Sequence, residues 1–95
     1  MKNNPLKEKS FYFAIRIVNL YRFLITEKKE YVRSKQLLRS GTAVGALAGE
    51  ADYGESKADF IHKLSIAQKE CSESLFWLDL LEKTEYITTK KNLKK

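Results

Sequence analysis

The chain has 95 residues and a formal net charge of +6, with 43% hydrophobic and 32% charged side chains, four glycines, one proline and one cysteine. This balance fits one ordered, helix-rich domain and excludes a disordered tail or a disulfide scaffold. Cys71, the lone cysteine, makes no internal disulfide, so a reducing cytoplasmic location is expected.

A chain of this size buries only about 60–65% of its unfolded surface, and oligomerisation would add to its stability. The longest uncharged run, Ser40 to Gly49, is too short to cross a bilayer, and Arg16 and Arg22 interrupt any signal-like stretch, so a soluble chain without membrane contact is expected. The charge is unevenly spread. Positions 1–49 hold ten basic and three acidic side chains, net +7; positions 50–85 are net −5, and the last ten residues add +4. Such asymmetry fits a basic surface for a polyanion, or complementary faces that meet in an oligomer.

Asn4-Pro5 reads as an N-cap followed by proline at the first helical position, and the helix it opens runs to about Thr26. Phe11, Ala14, Val18, Tyr21 and Ile25 form one apolar row, with Phe13, Ile17, Leu20 and Leu24 beside it. A stripe that wide predicts contact with two further helices or with a second subunit. Lys9, Tyr12, Arg16, Asn19 and Arg22 occupy the remaining face. It is either a solvated face or a backbone-binding face for RNA or DNA, with Tyr12 placed to stack on a base.

Residues 26–30 are a polar connector. The second helix, about 31–53, is the centre of the chain. It sets Gly41, Gly45 and Gly49 four residues apart, on one helical face, where each costs about 1 kcal/mol against Ala unless another helix needs the space. Leu37, Val44, Ala48 and Ala51 lie on or beside the same stripe, which predicts a central packing helix. A phosphate loop is the rival reading, but the segment fits neither glycine-rich phosphate motif and no strand precedes it. Arg39 and Glu50, eleven residues apart, return to nearly one azimuth, and each could meet a charge on a facing helix. Gly54 is expected to close the helix in a left-handed conformation.

Ser56 to Asp59 is a variant capping box. It opens a third helix, about 56–84, on which Phe60, Leu64, Ala67, Cys71, Ser74, Leu78 and Leu81 alternate steps of four and three, a helix–helix seam. Leu75, Phe76, Trp77 and Leu80 lie off that seam and are the candidate subunit interface. The whole predicts an all-α single domain over 1–95, with three long helices and a truncated fourth, a stub at 88–95 too short to hold alone.

No cofactor is expected, and no metal. His62 shares a face with Asp59, yet a bundle di-metal site wants Glu-x-x-His twice, and there is one histidine. Cys71 on the seam reads as a small buried hydrophobe rather than a nucleophile. Glu70 and Glu73 read as ion-pair partners, with Arg39 or Lys69 opposite. No acid cluster has metal spacing, so an enzyme such as a nuclease ranks last.

The order QLLRSGTAVGA, DFIHKLSIAQKE, ESLFWLDLL resembles the bacterial four-helix-bundle family whose founding members are encoded in intervening sequences of 23S ribosomal RNA genes. The likeness runs from roughly Ala14 to Ile87, on Gln36, Arg39-Ser40-Gly41-Thr42, Val44-Gly45-Ala46, Glu50-Ala51, Asp59-Phe60, Lys63-Leu64, Ile66-Ala67, Lys69-Glu70, Glu73 and Trp77-Leu78. It departs at Ala43 and Leu47, where the family usually has Ser and Asn, and in the shortened fourth helix. The resemblance implies an up-down antiparallel bundle that assembles as a homopentamer. Relatives in diversity-generating retroelements are basic rings that bind nucleic acid and a reverse transcriptase.

Two functional expectations follow. The first is a non-enzymatic oligomer that binds RNA or DNA with little sequence preference through Arg16, Arg22, Arg33, Lys35 and Arg39. The second is a protein-interaction scaffold in which Lys35 and Arg39 are taken up in ion pairs and withdrawn from phosphate.

Overall fold

A computed structural model describes residues 5–88, folded as three helices with no strand among them: α1 (Pro5–Thr26), α2 (Arg33–Ala51) and α3 (Lys57–Lys83). The expected Asn4 cap lies outside the described residues. So does the stub from 88 onward, apart from Thr88, which is not helical. Neighbouring helices are antiparallel. Gly41 faces Ile17 while Gly45 faces Ser10, and Arg39 meets Glu70 and Glu73 while Glu50 meets Lys63.

Helix α2 packs along both of its neighbours, as expected of the central element. Its buried Leu37, Ser40, Gly41, Val44, Ala48 and Ala51 form the floor on which α1 and α3 rest. A Cβ built on Gly41 would lie 2.8 Å from both Cγ atoms of Ile17, and one on Gly45 would lie 3.1 Å from the Ser10 carbonyl oxygen. Both glycines therefore let α1 approach closely. Gly49 does not share that role, since nothing lies within 4 Å of its would-be Cβ. Four residues advance a helix by about 400°, so the glycine row turns some 40° per step and has left α1 by the third member.

Gly54 also differs from expectation. No glycine in the described chain has a positive φ. Gly54 instead clears space for the start of α3, with the Phe60 nitrogen 3.1 Å and Asp59 Oδ2 3.2 Å from a Cβ placed there. The left-handed residues are Lys29 (φ 56°) and Glu85 (φ 71°). Glu85 follows α3 in a Schellman arrangement, with Tyr86 N–H donating to the Leu81 carbonyl at 2.9 Å and Glu85 N–H to Glu82 at 3.0 Å.

The capping box at the start of α3 forms, with Asp59 N–H donating to Ser56 Oγ at 3.1 Å; the Asp59 carboxylate reaches back to Glu55 N–H rather than to Ser56. The α3 seam faces α2, where Ala67, Ser74, Leu78 and Leu81 are buried. The Ser74 and Ser40 hydroxyls meet at 2.9 Å inside that contact. At one end of the molecule all three helices share a core: Ile17, Leu20 and Leu24, Leu37, then Leu78, Leu81 and Ile87.

Glu30, expected in a polar connector, is 4% exposed. Helix α2 starts at Arg33, two residues beyond the expected Tyr31, because its first turn is capped by this side chain rather than by a residue at the N-cap position. Oε1 accepts from Ser34 N–H at 2.8 Å, and Oε2 accepts from the Arg33 guanidinium at 2.8 Å and Arg33 N–H at 3.3 Å. Burial alone would push the carboxyl pKa up; the bonds from Ser34 and Arg33 outweigh it and hold Glu30 below its ordinary 4.5.

Two stability predictions arise from this packing. Gly49→Ala and Glu85→Gly should each stabilise by about 1 kcal/mol, raising the melting temperature by roughly 4–8 °C. Gly41→Ala should lower it, because overpacking against Ile17 costs about 1–3 kcal/mol and exceeds the propensity gain. Thermal circular dichroism of the three variants checks both signs. Glu30→Ala should cost about 1–3 kcal/mol by leaving α2 donors unsatisfied. Because the Glu30 pKa is depressed on folding, its contribution is complete above the ordinary glutamate value and is lost as pH falls through the folded value. Urea titrations across acid pH should show a slope in the native chain that flattens in Glu30→Gln.

Candidate functional site

The basic residues expected to contact phosphate divide into two sets. Arg39 bridges from α2 to α3, its guanidinium 3.2 Å from Glu70 Oε1 and 2.5 Å from Glu73 Oε2. The Glu73 hydrogen bond chiefly raises the Arg39 pKa; in return Arg39, then the Trp77 indole N–H donating at 3.0 Å, hold the Glu73 carboxyl below the usual range. Glu50 and Lys63 extend the seam at 3.2 Å. Arg33 is tied to Glu30. The Arg39 and Lys63 pairs cross the α2–α3 contact, while the Arg33 pair is local to the start of α2; a phosphate would have to displace a carboxylate to use Arg33 or Arg39.

Arg16, Arg22 and Lys35 are exposed, and among the described residues none has an ion-pair partner. They do not converge on one patch. Arg16 and Arg22 are six positions apart on α1, roughly 120° around the helix, and Lys35 belongs to α2. Of the five candidate phosphate contacts the fold pairs Arg33 and Arg39 with carboxylates and leaves three without an ion-pair partner among the described residues; Lys35, expected beside Arg39 in an ion pair on the scaffold reading, is among those three. Lys69, the other candidate partner for Glu70 and Glu73, is exposed and takes no part in the seam.

The off-seam residues of α3 also separate. Phe76 and Trp77 touch edge to face, with centroids 5.0 Å apart. Phe76 is exposed, while Trp77 is half-buried against the core. Leu75 lies exposed on another side of the helix, and Leu80 is half-buried. On α1, Phe11 is exposed and Ala14, Val18, Tyr21 and Ile25 are half-buried, so the outer of the two expected apolar rows is only partly covered in a single chain; Tyr12, on the expected polar face, and Ile15 are exposed as well.

Between α1 and α3, over α2, runs an open apolar trough of about 400 Å3. Val44 and Ala48 form its floor, Leu6 and Ser10 one wall, Leu64 and Cys71 the other. Cys71, expected as a buried seam residue, is half-buried and lines this trough. Sequence periodicity alone did not reveal the trough, since it is a space between helices and not a residue pattern. Among the described residues no group of three or more His, Cys, Asp and Glu side chains converges to hold a metal, and His62 is exposed. No helix among them is long and apolar enough to cross a membrane.

Comparison with known proteins places this geometry in a family. No curated protein matches the chain. Its fold is similar to the 1.70 Å crystal structure of a protein of unknown function from the S23 ribosomal protein family of Bacteroides thetaiotaomicron VPI-5482. The two share 56% identity and a TM-score of 0.91, over 99% of this chain and 84% of that one. The model of the 23S rRNA-intervening sequence protein family matches residues 2–95. With the glycine-lined α2, the Arg39–Glu70/Glu73 seam and the Phe76-Trp77 pair all falling inside that match, the chain belongs to the 23S rRNA-intervening sequence protein family.

Proposed function

We propose that this chain is a non-enzymatic, cytoplasmic helical-bundle protein that works as an oligomer. The observation that carries this reading is the exposure of Phe11 at 61%, Tyr12 at 58% and Phe76 at 57% in the single chain. Aromatic side chains of this size, spread over two helices, are the kind of surface that sister chains cover. Scattered basic residues, with Arg33 and Arg39 spent on internal ion pairs, support a scaffold more than a dedicated nucleic-acid surface. Five copies is the state that the family resemblance implies, and a partner protein such as a reverse transcriptase is the kind of client it suggests.

Light scattering of the purified chain should give a particle of several times 11.0 kDa. Phe11→Asp with Phe76→Asp should shift it to the single-chain mass while leaving helicity intact. A native particle of 11.0 kDa at micromolar concentration would end this reading.

A second reading, weak RNA or DNA binding, is favoured by the free Arg16, Arg22 and Lys35 together with the net charge of +6. Repeating such a set around an oligomer makes a polyanion attractor even where no single contact is strong. Filter binding should then show retention that falls steeply with salt and little sequence preference. Replacing Arg16, Arg22 and Lys35 with Gln should reduce the slope of log K against log salt by about 1 for each cation that pairs with a phosphate. Arg39→Gln should change that slope far less.

A further inference from the structure

The connector between α1 and α2 has no regular structure, yet both of its ends are pinned. Glu27 N–H donates to the Phe23 carbonyl at 2.8 Å and Glu30 N–H to the Leu24 carbonyl at 3.0 Å, which closes α1. The Glu30 carboxylate accepts from Arg33 N–H and Ser34 N–H, and the Glu30 carbonyl from the Ser34 hydroxyl, which opens α2. Between the two sets Lys29 is held left-handed at φ 56°, a conformation that glycine adopts without strain and lysine does not. Strain of this kind persists only where the surroundings impose it, and it recurs at binding segments.

The pinned segment displays Tyr31 and Val32 side by side, 58% and 71% exposed. Neither side chain has a hydrogen-bond or ring partner among the described residues. Tyr53 is more exposed, but the Lys7 ammonium lies over its ring at 5.9 Å. Val44, the nearer floor residue of the trough, is twelve positions beyond Val32, about 18 Å along α2, so this pair is no part of that opening.

Cations stand around the pair. Lys35 follows Val32 by one turn on the same side of α2, and Lys28 and Lys29 precede Tyr31 directly in the connector. All three are exposed and have no ion-pair partner among the described residues, although the Lys28 ammonium lies 5.9 Å from the Phe23 ring. Glu27 is the one exposed carboxylate between Thr26 and Lys35, since Glu30 is buried and paired with Arg33.

We propose that Tyr31 and Val32 form a preformed docking knob for another protein, one that offers an apolar recess edged by carboxylates. An apolar pair on a backbone already fixed loses little freedom on binding, and that favours it as an anchor. Lys28, Lys29 and Lys35 would meet the carboxylates at the edge of the recess with opposite sign. Nucleic acid fits less well: a base could stack on Tyr31, but Val32 gains nothing from phosphate and Glu27 repels it. A second copy of this chain also fits less well. Its Glu50, Glu70, Glu73 and Asp79 are committed to cations of the same chain, and the exposed Glu8, Glu27, Glu55 and Glu85 stand at four separate places. The knob is distinct from the Phe11 and Phe76 surfaces on which the oligomeric reading rests.

The test pans a phage-displayed library of random peptides of about 12 residues on the native chain, with depletion on Tyr31→Ser/Val32→Ser. Both side chains are exposed, so the variant should keep the native melting temperature and particle mass. Clones that survive depletion should carry Glu or Asp beside an aromatic or branched aliphatic residue. As synthetic peptides followed by fluorescence anisotropy, they should lose at least tenfold in affinity in Lys28→Glu/Lys29→Glu/Lys35→Glu. The proposal is overturned if no clone survives depletion, if survivors are basic or uncharged, or if their binding ignores the three lysine changes. A Tyr31→Ser/Val32→Ser particle of single-chain mass would give the knob to a sister chain, and loss of single-stranded RNA retention on filters would give it to nucleic acid; either overturns it too. A native particle of 11.0 kDa that still selects acidic peptides removes the oligomer and leaves the knob.

Discussion

The contact of Gly41 with Ile17 is the constraint from which the rest of the fold is arranged. A branched side chain set against bare backbone brings α1 and α2 nearer than any pair of side chains would allow. That approach lets α2 serve as a floor for both neighbours, with α1 resting on its glycine side and α3 on its serine side. With α2 flanked on both sides, α1 and α3 share a core with it and with Ile87 at one end. Farther along, between Leu6 and Ser10 of α1 and Leu64 and Cys71 of α3, an opening is left. Close packing on one side of the central helix thus determines where the chain stays open on the other.

The order and approximate limits of the three described helices were legible in the sequence because each carries a strong local signal. Pro5 starts the first, the stepwise apolar rows define the stripes of all three, and Ser56 with Asp59 opens the third. Two of the three glycines behave as their spacing implied, and Gly49 does not, since a four-residue repeat outruns a 3.6-residue turn. The ends of α2 were less legible. Glu30 reads as one more charged connector residue, and only the folded chain shows its carboxylate turned inward onto two backbone donors. Gly54 invited a conformational explanation when its role is steric.

The site was legible in its parts and not in its assembly. Glu70 and Glu73 were legible as ion-pair partners with Arg39 or Lys69 opposite, and the antiparallel seam decides for Arg39 by setting which turns face each other. Which cations remain free could not be read, because that depends on which acids the fold brings within reach. Leu75, Phe76, Trp77 and Leu80 looked like one apolar surface since they are nearly consecutive. Consecutive residues on a helix point around its whole circumference, and the fold leaves Leu75 one turn beyond Cys71 while Trp77 turns to the core and to Glu73.

Trp77 is the only tryptophan of the chain, and its indole N–H is held by the same carboxylate that clasps Arg39. Intrinsic emission from this protein is therefore a gauge of the α2–α3 joint. It reports the clasp opening and, because the ring also rests on the core that α1 shares, the loss of that core. Emission that shifts with added salt while ellipticity at the amides holds would mark the clasp opening ahead of any helix coming away.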